Sequence, residues 1–253
     1  MAFRFASIEK LPEPPSTHAT KGSMVHRVLE LLFLNPPFAR TVATAAPAFE
    51  QAKSEYLLDP EFTLLGLDAS EQQVFFDDAW SLVQAYFAME DPTRVREIGL
   101  ELRLEAHGGP RGLRGIIDRL ELDEQGELVV TDYKTGRAPG PLYQQKSLAG
   151  VHFYSFLCEQ VLGRRPAAIR LMYLRTGETI TATPTAQSVR FLTTRTQAVW
   201  SAVEKACLTG NFQPRTGALC KSCAFQPWCP AFGGDPSLAA VEAPMRYGPP
   251  VAV

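Results

Sequence analysis

Two short stretches, Gly115-Ile116-Ile117-Asp118-Arg119 and Thr131-Asp132-Tyr133-Lys134-Thr135-Gly136, carry most of what the sequence reveals. Each lies in a run of strand-forming residues. Leu113 to Leu122 reads as one strand, Asp123-Glu124-Gln125-Gly126 as a turn, and Glu127 to Lys134 as the next strand. Side chains alternate along a strand, so Asp132 and Lys134 share a face and Tyr133 points away. On the first strand Ile116, Asp118, Leu120 and Leu122 form one set. Both sets are apolar residues leading to an acid. The acids come together only if the connection has an odd number of residues, because a one-residue slip turns every side chain over. A four-residue turn would separate them, so a three- or five-residue loop, or a bulge, is expected.

That hairpin would hold two carboxylates and a lysine at its end. Two buried carboxylates repel unless a cation lies between them. Oxygen ligands of this charge suit Mg²⁺ or Mn²⁺. Lys134 would orient a water or stabilise charge developing on a phosphoryl group. This is equipment for phosphodiester hydrolysis. An isolated Asp-x-Lys is usually an ordinary strand end; here two motifs fall on adjacent strands.

Outward from the hairpin, Ile98, Leu100, Leu102 and Leu104 alternate with polar residues and predict a preceding strand, closed by a turn at Gly108-Gly109-Pro110. Glu101 on that strand reads first as a solvated edge-strand glutamate and second as an additional acid at the site. A helix starting near Thr20 to Ser23 carries Val25, Val28, Leu29, Leu32 and Phe33 on one stripe and stops at Asn35-Pro36-Pro37. Residues 41–65 read as a helix and a loop. Ser70-Glu71-Gln72 starts a helix running to about Ala88. Beyond the hairpin come a helix from about Tyr143 to Leu162, strands at 169–175 and 179–182, and a last long helix over 185–208. The order predicts an α/β domain with a mixed central β-sheet flanked by helices and a C-terminal Cys-rich metal or cluster knot. The expected organisation is an extended lead-in over 1–20, a core over 21–215, a Cys-rich segment over 216–234 and a tail over 235–253.

Composition is consistent with this. The 253 residues are 45% hydrophobic and 21% charged, which excludes a disordered chain. Twenty-five basic against 27 acidic residues give a net charge of -2, so a polyanion site must be local. No apolar run approaches the roughly 18 to 20 residues of a membrane helix, and no signal peptide is evident. Five cysteines, three of them within ten residues, indicate a metal or cluster in a reducing cytoplasm rather than a disulfide framework.

Gly-x-x-Asp-Arg, a short hairpin and Asp-Tyr-Lys-Thr-Gly together resemble the RecB-type branch of the PD-(D/E)xK nucleases. The resemblance implies a restriction-endonuclease-like core in which Asp118 and Asp132 bind metal and Lys134 is catalytic. Gly22-Ser23-Met24-Val25-His26 is similar to the family's Gly-x-x-x-His, which makes His26 a further ligand; Tyr133 is placed with this metal-binding set. Tyr154 matches the tyrosine of a Gln-x-x-x-Tyr element, assigned to catalysis, with Gly150 where the glutamine stands. Cys220-x-x-Cys223-x5-Cys229-Pro230 resembles the C-terminal triplet that holds a 4Fe–4S cluster with a fourth, N-terminal cysteine; zinc is the alternative. The first 20 residues contain no cysteine. The expectation is a longer reading frame, a lost cysteine, or replacement by Cys207. Cys158, among apolar residues, reads as core.

For nucleic acid, Arg119, Arg164, Arg165 and Arg175 are the candidate contacts. Between Gly163 and Arg195 there are six arginines (164, 165, 170, 175, 190, 195) and one acid, Glu178. Arginine forks pair with phosphates, so this is a candidate backbone track; the alternative is scattered solvated arginines. Phe153, Tyr154 and Tyr173 could stack on bases or pack in the core. The expected activity is a Mg²⁺- or Mn²⁺-dependent DNA exonuclease acting on single strands or ends in repair or recombination. No G-x-x-x-x-G-K-[ST] occurs, so unwinding would need a separate helicase. The rivals are a catalytically inactive DNA-binding subunit and a ribonuclease.

Overall fold

The computed structural model describes residues 1–107 and 112–248. In chain order its elements are α1 (Thr17–Phe33), α2 (Val42–Leu57), α3 (Pro60–Leu64), α4 (Ala69–Met89), β1 (Arg96–His107), β2 (Gly112–Leu122), β3 (Leu128–Lys134), α5 (Pro141–Leu162), β4 (Ala168–Tyr173), β5 (Glu178–Ala182), α6 (Ala186–Thr209) and α7 (Ala239–Tyr247). The turn expected at Gly108-Gly109-Pro110 lies outside the described residues. Two compact units emerge: His18–Leu58 with Leu67–Thr196, and Met1–Thr17 with Asp59–Gly66 and Gln197–Val253.

The larger unit is built on a mixed sheet of five strands in the order β1-β2-β3-β4-β5. β3 and β4 pair in parallel and the other neighbours antiparallel. A parallel pair needs a crossover, and α5 supplies it. β3 is buried along nearly its whole length, as expected of a central strand covered on both faces. On one face Leu120, Val130, Ile169 and Leu171 pack with Phe156 and Leu157 of α5. On the other, Tyr133 meets His26 of α1 and Tyr86 of α4 edge-on.

Helix starts follow their caps. The Asp68 carboxylate accepts from the Ser70 and Glu71 amides, and the Glu71 carboxylate accepts from the Asp68 amide. This reciprocal capping box begins α4 at Ala69, one residue ahead of the expected Ser70. α1 begins at Thr17, earlier than the composition indicates.

The β2–β3 register pairs Arg119 with Thr131 and Leu122 with Leu128. The connection is therefore the five residues Asp123 to Glu127, an odd number. Asp123 Oδ1 accepts from the amides of Gln125 and Glu127, and Gly126 takes the left-handed conformation at φ 78°. Continued by one residue, this register sets Asp118 opposite Asp132.

The simple alternation expected of β1 is not found. A bulge lies between Glu97 and Gly99, Ile98 is exposed, and Glu101 has φ 43°. A Cβ on Gly99 would lie 3.1 Å from Leu102 Cδ2, so residues three apart turn to the same side there. A bulge re-aims side chains at the cost of regular pairing.

The smaller unit has its own core of Phe5, Phe225, Trp228, Ala239 and Ala243. Residues 239–247, expected as tail, form α7. Trp228 Nε1 donates to Glu242 at 2.7 Å and Tyr247 Oη donates to the Ala224 carbonyl at 2.8 Å. Among the described residues no helix is long and apolar enough to cross a membrane.

Candidate metal centre

Every element of the site is brought by a different part of the larger unit: His26 by α1, Glu101 by β1, Asp118 by β2, Asp132 and Lys134 by β3, Tyr154 by α5. The glycines of the sequence motifs permit this assembly. A Cβ on Gly115 would lie 2.7 Å from Leu157 Cδ1 and 3.0 Å from Phe153 Cε1, so those two α5 side chains would have to shift to admit it. A Cβ on Gly22 would lie 3.2 Å from Thr135 Oγ1.

The Tyr133 main chain ties the acids to the histidine. Its N–H donates to Asp118 Oδ2 at 2.7 Å, and its carbonyl lies 2.9 Å from His26 Nε2. A carbonyl only accepts, so His26 must donate through Nε2. In the neutral imidazole Nδ1 then presents a lone pair, 3.6 Å from Asp118 Oδ2. Glu101 joins them: ligand atoms of His26, Glu101 and Asp118 all lie within 4.8 Å of one another. A donor group of this kind could hold a metal ion.

Charge and burial agree. Burial pushes the Asp118 carboxyl up, and Asp132 adds to this; His26, the Tyr133 amide and Lys134 act against it. Glu101 is likewise raised by burial and then by Asp118. Glu101 reaches the group from a left-handed backbone that glutamate rarely adopts, the kind of local strain found at functional sites. The solvated edge-strand role first expected for Glu101 is therefore replaced by a place in the donor group. Sequence alternation alone gave no sign of its unusual φ.

Asp132 is held differently. Its Oδ1 accepts from Tyr154 Oη at 3.0 Å, and its Oδ2 pairs with Lys134 Nζ. Burial, then the Asp132 charge, raises the Tyr154 phenol, which stays protonated and donates. Lys134 keeps 43% of its side chain exposed and stands at the open side. Gly150 is exposed on α5. The Tyr133 side chain takes no part in this face. It is buried with its hydroxyl on Arg119, so its contribution is its main chain, not its phenol.

Arg119 is corrected as a DNA contact. Its side chain is fully buried on the opposite face of the sheet from Asp118, stacked over Phe33. It donates to Glu90, the Tyr133 hydroxyl and Thr131, and pairs with Glu121 at 2.6 Å. Alternation along β2 already places it there. Burial of this size is tolerated because each guanidinium nitrogen faces an acceptor or an anion.

The expected arginine track is partly neutralised. Arg164 pairs with Glu127, Arg170 with Glu121, and Arg175 holds Asp78 with both nitrogens at 2.6 and 2.7 Å. Arg165, Arg190 and Arg195 are exposed. Lys21 also pairs with Asp78, and Arg175 Nε lies 3.4 Å from the Thr135 carbonyl. Two cations thus share one acid beside the end of β3, a feature the sequence did not single out. Tyr173 is buried, and Phe153 packs against the core, so neither offers a stacking face.

In the smaller unit Cys220, Cys223 and Cys229 are reduced and half-buried, and Cys207 is exposed on α6. Among the described residues they do not form a donor group of the kind made by His26, Glu101 and Asp118. Cys158 is buried in the larger core, its thiol pushed up to about 11 by burial.

No curated protein matches this chain. Among solved structures it is similar to the crystal structure of SSO0001, at 16% identity over 81% of this chain and 84% of that one, with a TM-score of 0.39. The family comparison is far broader than any single motif: the model of the PD-(D/E)XK nuclease superfamily, whose members are typically metal-dependent nucleases, matches residues 1–230, and the chain belongs to that superfamily.

Proposed function

We propose that this chain is a Mg²⁺- or Mn²⁺-dependent deoxyribonuclease of the RecB-type branch, acting as an exonuclease on single-stranded DNA or DNA ends in repair or recombination. The observation that supports it most is the convergence of His26 Nδ1, Glu101 and Asp118 with Lys134 at the open side. Hard carboxylate oxygens with one imidazole suit a divalent cation of this class. His26, Glu101 and Asp118 would hold it, with Asp132 beside them. When bound, such a cation supplies Lewis-acid stabilisation of charge on the phosphoryl group.

The residues of the chain do the rest. Tyr133 fixes the Asp118 carboxylate and the His26 ring through its main chain. Tyr154 holds Asp132 by donating to Oδ1. Lys134 exchanges its Asp132 contact for the scissile phosphate or the attacking water, placing a positive charge where negative charge grows. The Lys21 and Arg175 pair on Asp78 would receive a neighbouring backbone phosphate.

The test is cleavage of end-labelled linear DNA, single- and double-stranded, and of matching RNA, by the wild type and Asp132→Ala in Mn²⁺ or Mg²⁺. Cleavage of single-stranded DNA by the wild type alone, released progressively from an end, is expected. Equal cleavage by both proteins would place the chemistry elsewhere. No cleavage by a folded wild type would favour the inactive DNA-binding subunit, and a preference for RNA would replace the substrate.

A further inference from the structure

Resting on the nuclease reading above, we infer that a pocket between α5 and the start of α6 binds one nucleotide of single-stranded DNA, its base against Phe191 and its phosphate on Arg195. The cavity holds about 390 Å³ and is lined by His152, Thr185, Gln187, Ser188, Phe191, Leu192 and Arg195. Pockets that take small ligands span about 300–1,000 Å³.

α6 presents two faces here. Val189 and Leu192 pack against the core under the sheet. Ser188, Phe191 and Arg195, spaced three and four residues apart, line the cavity. Phe191 leaves 66% of its area exposed, a large aromatic surface. Arg195 is exposed and has no ion-pair partner among the described residues, unlike Arg164, Arg170 and Arg175. An aromatic face with a free guanidinium one turn away is the pairing that single-stranded nucleic acid uses, base on ring and phosphate on cation.

His152 supplies the polar edge. Its Nδ1 is out of contact with solvent and has no hydrogen-bond partner among the described residues. Burial keeps the ring neutral, so it offers a hydrogen bond rather than a charge. The hydroxyls of Thr185 and Ser188 are engaged with each other's amides in the cap of α6 and remain in place. His152 lies two residues before Tyr154 on α5, about half a turn round the helix. The pocket and the carboxylates therefore lie on opposite sides of α5. A base in a duplex is stacked on its neighbours and could not lie on Phe191, so the pocket selects unpaired DNA.

Fluorescence anisotropy of the full chain with labelled oligothymidylate in EDTA tests this, using wild type, Phe191→Leu, Phe191→Ala and Arg195→Ala, each checked for an unchanged melting curve. Phe191→Leu keeps an apolar side chain and removes the ring. Both Phe191 variants are expected to weaken single-strand binding about tenfold, as loss of one stacked base does. Arg195→Ala should weaken it and lower the salt slope by about 0.7. Variants that bind like a wild type that itself cleaves single-stranded DNA would overturn the pocket and leave the nuclease standing. A wild type that neither binds nor cleaves would overturn both.

Discussion

Tyr133 donates its main-chain N–H to Asp118 Oδ2 across 2.7 Å, joining the central strand of the sheet to the acid on its neighbour. The carbonyl of the same residue takes His26 Nε2 at 2.9 Å, so one peptide segment sets both donors. On the other face the Tyr133 ring is held by Arg119 at 2.7 Å. Tyr133 thus anchors β3 through its buried side chain and positions Asp118 and His26 through its main chain.

Asp118→Asn keeps an oxygen for the Tyr133 amide and removes a charge that its surroundings disfavour. Activity should fall by about a thousandfold or more, the scale of a lost electrostatic group in a catalytic site. The metal-free melting temperature should stay level or rise. Calorimetry beside a cleavage assay checks both; a fall in stability matching the fall in activity would mean that the charge is structural.

Metal stabilisation should grow with pH. Burial raises the folded-state values of Asp118 and Glu101 above an unfolded carboxylate value of about 4. A raised carboxyl binds protons more tightly when folded. Its contribution to metal-free stability is therefore present at low pH and declines as pH rises through the folded values. A cation competes with those protons and gains as they leave. The Mn²⁺-induced shift in melting temperature should increase from pH 5 to 7.5, as thermal unfolding would show; a shift independent of pH would detach these acids from the metal.

Arg119→Ala should act through folding, not through DNA. It would leave Glu90 and Glu121 facing each other around an empty buried position, a loss of about 3–5 kcal/mol. Denaturant unfolding reads this directly. Any folded fraction should retain wild-type affinity for single-stranded DNA, measured at a temperature where the variant is native.

Tyr154→Phe deletes the donor to Asp132 Oδ1 at little cost to packing. The cleavage rate should drop about tenfold with the melting temperature nearly unchanged, consistent with the loss of one hydrogen bond to a charged group. Gly115→Ala should do the reverse first. Added volume against the Leu157 and Phe153 side chains should destabilise by about 1–3 kcal/mol, with activity falling less than stability.

How legible these features were in the sequence depends on what each one rests on. The facing of Asp118 and Asp132 follows from parity, because a period of two leaves only odd connections, and Asp123 closes one of five residues. The same period already places Arg119 on the far face; chemical type suggested DNA, but geometry decides. Glu101 was legible only as a second reading, an additional acid at the site, since its position depends on a bulge and a positive φ that alternation does not encode. The pairing of Lys21 and Arg175 with Asp78 joins residues far apart in the chain, which spacing cannot show.

The most direct test of the account is equilibrium binding of Mn²⁺, followed by electron paramagnetic resonance of the free ion, to wild type, His26→Ala, Glu101→Gln and Asp118→Asn. The cation is expected to bind the wild type, and each substitution should weaken it about tenfold or more, Glu101→Gln included. Binding that all three variants retain at wild-type strength would contradict a metal centre built from these residues.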